Sequence, residues 1–191
     1  MQRVRRSSGM TLVMVLAIAA LSGGTALAQP SDTAWVFGGY VLDTLFANET
    51  DLNDAIGFGV RGGYMFGGKH QMELSIDQLT GESQGPAPID VDVRKVGVNY
   101  VRQFQLRNKE KMIPVTIFGL GLITTDDGVQ DESSAFYAAG GGMKYLMTKR
   151  LALRFDAKIY RWDGDGKVLP VNSLFSFDIA VGLSFTVGGG T

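Results

Sequence analysis

Residues 175–187, FSFDIAVGLSFTV, alternate without a break. Phe175, Phe177, Ile179, Val181, Leu183, Phe185 and Val187 share one face, and Ser176, Asp178, Ala180, Gly182, Ser184 and Thr186 share the other. A period of two over thirteen residues predicts one long β-strand with a wholly apolar side. Strands of soluble proteins usually run about 5–6 residues. A strand that crosses a bilayer needs about 9–11. This stretch alone suits either a membrane-spanning strand or a long strand of a soluble barrel or sandwich, so the rest of the chain decides.

Seven earlier stretches repeat the pattern, at 34–46, 55–66, 71–79, 91–104, 113–124, 135–146 and 151–162. In the second, Ile56, Phe58, Val60, Tyr64 and Phe66 alternate with Gly57, Gly59, Arg61 and Gly63. In the seventh, Leu153, Phe155, Ala157 and Ile159 alternate with Arg154, Asp156 and Lys158. In the first, Val36, Tyr40, Leu42 and Phe46 are assigned to the apolar face, with Gly39 and Asp43 on the other. The fifth alternates poorly, and Phe118, Leu120 and Leu122 are expected to face outward. The connectors 67–70, 105–111 and 147–150 read as tight. Those at 47–54, 80–90, 125–134 and 163–172 read as longer and rich in Gly, Asp and Pro. Eight long strands with tight turns on one rim and longer loops on the other predict an all-β fold, an eight-stranded antiparallel up-and-down transmembrane β-barrel. No helical periodicity of useful length appears after the N-terminus, which disfavours α/β and α+β classes.

The N-terminus adds an address. Arg3, Arg5 and Arg6 precede an apolar run from Met10 to Leu21, and Ala26-Leu27-Ala28 is a small-x-small cleavage site. Residues 1–28 read as a secretory signal peptide and 29–191 as one barrel domain. A membrane anchor fits less well, because Ser22-Gly23-Gly24-Thr25 interrupts the apolar run. The 163 residues left after cleavage carry 15 Lys+Arg against 19 Asp+Glu, a net charge near −4 that argues against nucleic acid as a partner. With no cysteine, thiolate chemistry and disulfides are excluded. Glycines within the strands, such as Gly57, Gly59, Gly97 and Gly140, are expected to relieve crowding in a narrow barrel.

The strand number, the loop alternation and the closing strand together resemble the eight-stranded outer-membrane barrel family of the outer membrane protein A transmembrane-domain or OmpX type. The resemblance spans the signal peptide and essentially all of the mature chain. It implies a place in the Gram-negative outer membrane. It also implies contact with outer-membrane lipid and lipopolysaccharide, and insertion by the barrel assembly machinery. The run 182–188 looks like the closing-strand signal that this machinery reads, with Gly182, Phe185 and Val187 as its marked positions. Val187 stands where an aromatic residue is common. No peptidoglycan-binding domain is expected, so that role of longer family members is not implied. A monomer without a cofactor is expected.

With the apolar faces toward lipid, the opposite faces place Arg61, Lys95, Lys144, Arg154 and Lys158 in the lumen, with Asp43, Glu73, Asp77, Asp156 and Asp178. Unpaired charges in so narrow a space would each cost several kcal/mol, so a mutually paired network that plugs the barrel is expected. A gated narrow pore for ions or very small solutes, or a proton or cation path, is the alternative. Catalysis is disfavoured. The only histidine, His70, sits in a turn with no serine nearby in sequence to activate, so an outer-membrane lipid-modifying enzyme is a poor fit. The longer loops are acidic and the tight turns basic. Asp126, Asp127, Asp131 and Glu132 form the best divalent-cation candidate, without the spacing of an EF-hand loop and without a firm metal assignment. The function expected is a structural and surface-interaction scaffold whose extracellular partner is open. A soluble barrel with an internal ligand site is a minor alternative. It would require the charges and most glycines to lie outside.

Overall fold

A computed structural model describes residues 33–47, 52–83, 89–106, 111–164 and 173–188. The expected leader, residues 1–28, lies outside them. Eight strands form one closed sheet: β1 (Thr33–Phe46), β2 (Ala55–Phe66), β3 (His70–Glu82), β4 (Asp90–Gln103), β5 (Met112–Asp126), β6 (Asp131–Leu146), β7 (Leu151–Asp163) and β8 (Ser173–Val187). Each strand pairs antiparallel with its sequence neighbours. β8 closes on β1 in a register that runs from Trp35 opposite Val187 to Phe46 opposite Ser176. Fourteen residues at ~3.4 Å each, tilted ~40°, rise roughly 36 Å, enough to cross the hydrocarbon and project beyond it.

The outer surface is apolar over its whole waist. Ile56, Leu74, Phe118, Leu120, Leu122, Ile159 and Ile179 are all exposed. A soluble monomer rarely shows so extensive a patch; in lipid it is the matched surface. Trp35, Tyr64, Phe66, Phe104 and Tyr145 stand outward near the end that carries the chain termini, and Tyr137 and Phe175 near the other. The β2–β3 turn is tight because Gly67 and Gly68 both adopt positive φ, 56° and 65°.

Two expectations are corrected. The connector between β5 and β6 is a four-residue turn, 127–130, not a long loop, because those strands extend into it. The second correction is the phase of β1. Asp43 points outward, while Val36, Tyr40, Leu42 and Phe46 point into the lumen. Both faces of β1 are apolar, since Trp35, Phe37, Val41 and Leu45 form the outer one. Alternation alone therefore cannot phase this strand. Its neighbours do, because Tyr40 lies opposite Gly59 of β2 and Gly182 of β8, and a side chain at either glycine would collide with it. Trp162 likewise faces the lumen.

The lumen is filled in three layers. At the loop end, Phe46, Leu79, Val91, Val93, Ile123, Phe136, Trp162 and Leu174 form one apolar cluster with Leu52 of the first loop. At the end with the termini, Ala34, Val36 and Met65 pack together, as do Val101, Val115 and Ile117. The charged residues lie between. Ile179→Arg sets a charge on the lipid face of β8 and is expected to lower unfolding free energy by about 2–4 kcal/mol in lipid vesicles under urea. A neutral effect would mean that this face meets water.

Candidate functional site: a charged layer inside the barrel

Nine of the ten charges assigned to the lumen from sequence lie inside it: Arg61, Glu73, Asp77, Lys95, Lys144, Arg154, Asp156, Lys158 and Asp178. The tenth is Asp43, placed outside by the phase of β1. Glycines make the space. Arg61 stands in register with Gly38, Glu73 with Gly63, Asp77 with Gly59, Arg154 with Gly182, Asp156 with Gly142 and Lys158 with Gly140. Each charge thus folds over a stretch of neighbouring strand that has no side chain.

Two clusters result. Nearer the termini, Asp156 accepts from Arg61 Nη1 at 2.5 Å and from Arg154 Nε at 2.8 Å. Arg154 Nη1 donates to Glu73 Oε2 at 2.7 Å. Gln71 Nε2 also donates to Glu73 Oε2, at 2.9 Å, while Gln71 Oε1 accepts from Lys144 Nζ at 3.0 Å. Nearer the loops, Lys95 Nζ donates to both oxygens of Asp178 at 2.8 Å. Thr44 Oγ1 adds a hydrogen bond to the same carboxylate. The Lys95 and Lys158 ammonium groups lie 4.3 and 5.0 Å from the Tyr160 ring centroid. Ammonium groups are attracted to the negative face of such a ring.

Tyr40 joins the two. Its ring lies 3.9 Å under the Arg61 guanidinium, and its hydroxyl donates to Asp77. The sequence reading missed Tyr40 because it put β1 in the opposite phase. It passed over Thr44 of β1 for the same reason, and also Gln71 and Tyr160, uncharged residues whose only signal was sharing a face with charged ones.

The other candidate positions do not converge. Asp126 and Asp127 spend their carboxylates on their own turn. Asp126 accepts from the N–H of Gly128, and Asp127 accepts from the N–H groups of Gln130 and Val129 at 2.7 and 2.8 Å. These backbone bonds hold the Asp127 carboxyl below the usual carboxylate range. Asp131 is exposed and Glu132 is buried on the inner face of β6. Among the described residues no group of three or more potential metal ligands comes together, so the proposed cation loop is not assembled. In the closing strand, Gly182 faces inward under Tyr40 and Val187 is exposed at the strand end. His70 opens β3, with its Nδ1 2.6 Å from the hydroxyl of Tyr100, not beside a serine.

The sequence pattern described as the outer membrane protein beta-barrel domain matches residues 13–188. The chain belongs to that family. It is a β-barrel protein of the Gram-negative outer membrane. Among solved structures, Neisserial surface protein A aligns with a TM-score of 0.59 at 17% identity, covering 81% of this chain and 97% of that one. OprG from Pseudomonas aeruginosa aligns at 0.54 and 13% identity, covering 85% and 99%. AlkL, solved in lipid bilayers, aligns at 0.50 and 14%, covering 89% and 97%. At these identities the likeness is one of fold. No curated protein matches the sequence.

The network is strongly coupled, and single and double substitutions separate its terms. Lys95→Met strands the Asp178 carboxylate and is expected to cost about 3–5 kcal/mol. Lys95→Met with Asp178→Leu removes both charges and is expected to recover most of that loss. Urea unfolding in vesicles measures both. A double variant as unstable as the single one would show that the pair itself is the stabilising element.

Proposed function

We propose that this protein is a structural scaffold of the outer membrane whose lumen is closed and whose acidic loops are its working surface. The observation that carries this reading is Arg154. It is buried, bonded to Asp156 through Nε and to Glu73 through Nη1, and lies between the large apolar cluster at the loop end and the two smaller ones at the other end. Ion passage would require breaking these charge-assisted bonds in a water-poor interior, where an unpaired charge costs several kcal/mol.

The loop end carries Asp54, Glu82, Asp90, Asp126, Asp131 and Asp163, all exposed, and the half-buried Asp127. An acidic rim of this kind attracts divalent cations and, through them, the phosphates of lipopolysaccharide, or else a basic partner. On this reading the barrel works as a monomer. Assembly would use the closing strand, with Gly182, Phe185 and Val187 as the recognised positions.

A narrow channel is the second reading, and one observation favours it. Arg61 Nε and Arg154 Nη2 are buried without a hydrogen-bond partner, and Lys144 stands in register with Arg154, like charge against like. A network with spare donors and internal repulsion is able to exchange partners. Planar-bilayer recording of refolded residues 29–191 separates the two. The closed scaffold gives no steady conductance, and Arg154→Ala, which removes the close charged partner of Glu73 and one of the two partners of Asp156, introduces one. A steady conductance from the unaltered protein would overturn the scaffold reading.

A further inference from the structure

The end of the barrel opposite the acidic loops carries Lys69, Arg102, Lys111, Lys149 and Arg150, with no acidic residue beside them among the described residues. Three of its groups are gathered on one outward edge. His70 of β3 is the register partner of Arg102 of β4. The carbonyl of Lys69 accepts from the N–H of Gln103 at 2.7 Å, which ties the β2–β3 turn to the end of β4. Lys69, His70 and Arg102 are therefore neighbours at one depth.

Aromatic rings fix that depth. His70 is stacked between Phe66 and Tyr100, with ring centroids at 5.7 and 5.9 Å. The hydrogen bond between its Nδ1 and the Tyr100 hydroxyl leaves Nε2 as the free ring nitrogen. The Arg102 guanidinium lies 5.3 Å from the centroid of the Phe104 ring, and among the described residues no carboxylate pairs with it. Amphipathic rings settle at the headgroup level of a bilayer. Directly toward the membrane centre lie the exposed apolar residues Met72, Leu74, Val98 and Phe118 of β3, β4 and β5. Cations at headgroup depth above an apolar wall match a lipid with a negatively charged phosphate head and two acyl chains.

We infer that the outward edge formed by Lys69, His70 and Arg102 is a binding site for an anionic phospholipid of the inner, periplasmic leaflet. The end with the tight turns faces that leaflet. Arg102 supplies the planar fork for phosphate oxygens, Lys69 a mobile point charge, and the His70–Tyr100 pair a rigid edge against the headgroup. The site lies outside the barrel and is independent of whether the lumen conducts.

The test uses the protein refolded into phosphatidylcholine vesicles with a trace of spin-labelled phosphatidylglycerol or spin-labelled phosphatidylcholine. The measured quantity is the fraction of each label immobilised at the protein. A several-fold preference for phosphatidylglycerol is expected. It should fall to near parity in Lys69→Gln/Arg102→Gln and persist in Lys149→Gln/Arg150→Gln, which removes equal charge from the β6–β7 turn. The heat-dependent gel shift establishes that each variant is folded. No preference in the unaltered protein would overturn the inference. An equal fall in both double variants would also overturn it, since that is the signature of diffuse attraction to a basic rim.

Discussion

Backbone groups in hydrocarbon have no water to bond, and the structure follows from that constraint. An open edge would leave a row of N–H and C=O groups unpaired, each costing several kcal/mol. The pairing of β8 with β1 removes the last edge. Closure at eight strands then fixes a narrow cylinder, in which every second residue of every strand must fit. The outside is cheap to satisfy, because any apolar side chain suits lipid. The inside is where the sequence is constrained.

Most of the fold was legible from alternation. All eight strands were found, and β8 runs only from Ser173 where Phe175 was expected. Long one-sided strands are easy to read because lipid outside and charge inside give opposite composition to the two faces. β1 resisted for the same reason in reverse. It carries Trp35, Phe37, Val41 and Leu45 outward and Val36, Tyr40, Leu42 and Phe46 inward, so its composition does not say which face is which. The apolar layer at the loop end was not legible either. Its members come from all eight strands, and only the closed register brings Phe46, Val93, Ile123, Trp162 and Leu174 to one level. The cation-loop expectation failed on local chemistry. In a four-residue turn the Asp127 carboxylate is consumed by nearby N–H groups.

The interior divides its work between its layers. The apolar ends supply close packing without hydrogen-bonding demands, while the middle carries directional bonds between strands far apart in sequence. Arg61 and Asp156 link β2 to β7, Arg154 and Glu73 link β7 to β3, and Lys95 and Asp178 link β4 to β8. Chords across the cylinder resist flattening in a way that the circumferential backbone ladder does not. The two ends of the molecule are also of opposite charge, which gives it a fixed polarity along its axis.

The pairing of six of the nine lumen charges with a glycine on the adjacent strand has a consequence for how the barrel finds its alignment. A slip of one residue would turn charges into lipid and is forbidden on that ground alone. A slip of two residues keeps every face correct, and neither lipid nor backbone bonding objects to it. Only the notches do. Moved by two, Asp77 would meet Gly57 or Arg61 in place of Gly59, and Asp156 would meet Gly140 or Lys144 in place of Gly142. In the first error a glycine stays in place while the cross-barrel partners drift out of reach; in the second, the carboxylate loses its glycine notch and meets a long basic side chain in the space the notch had left. The interior therefore acts as a combination lock for strand alignment, discriminating among arrangements that the membrane itself treats as equal.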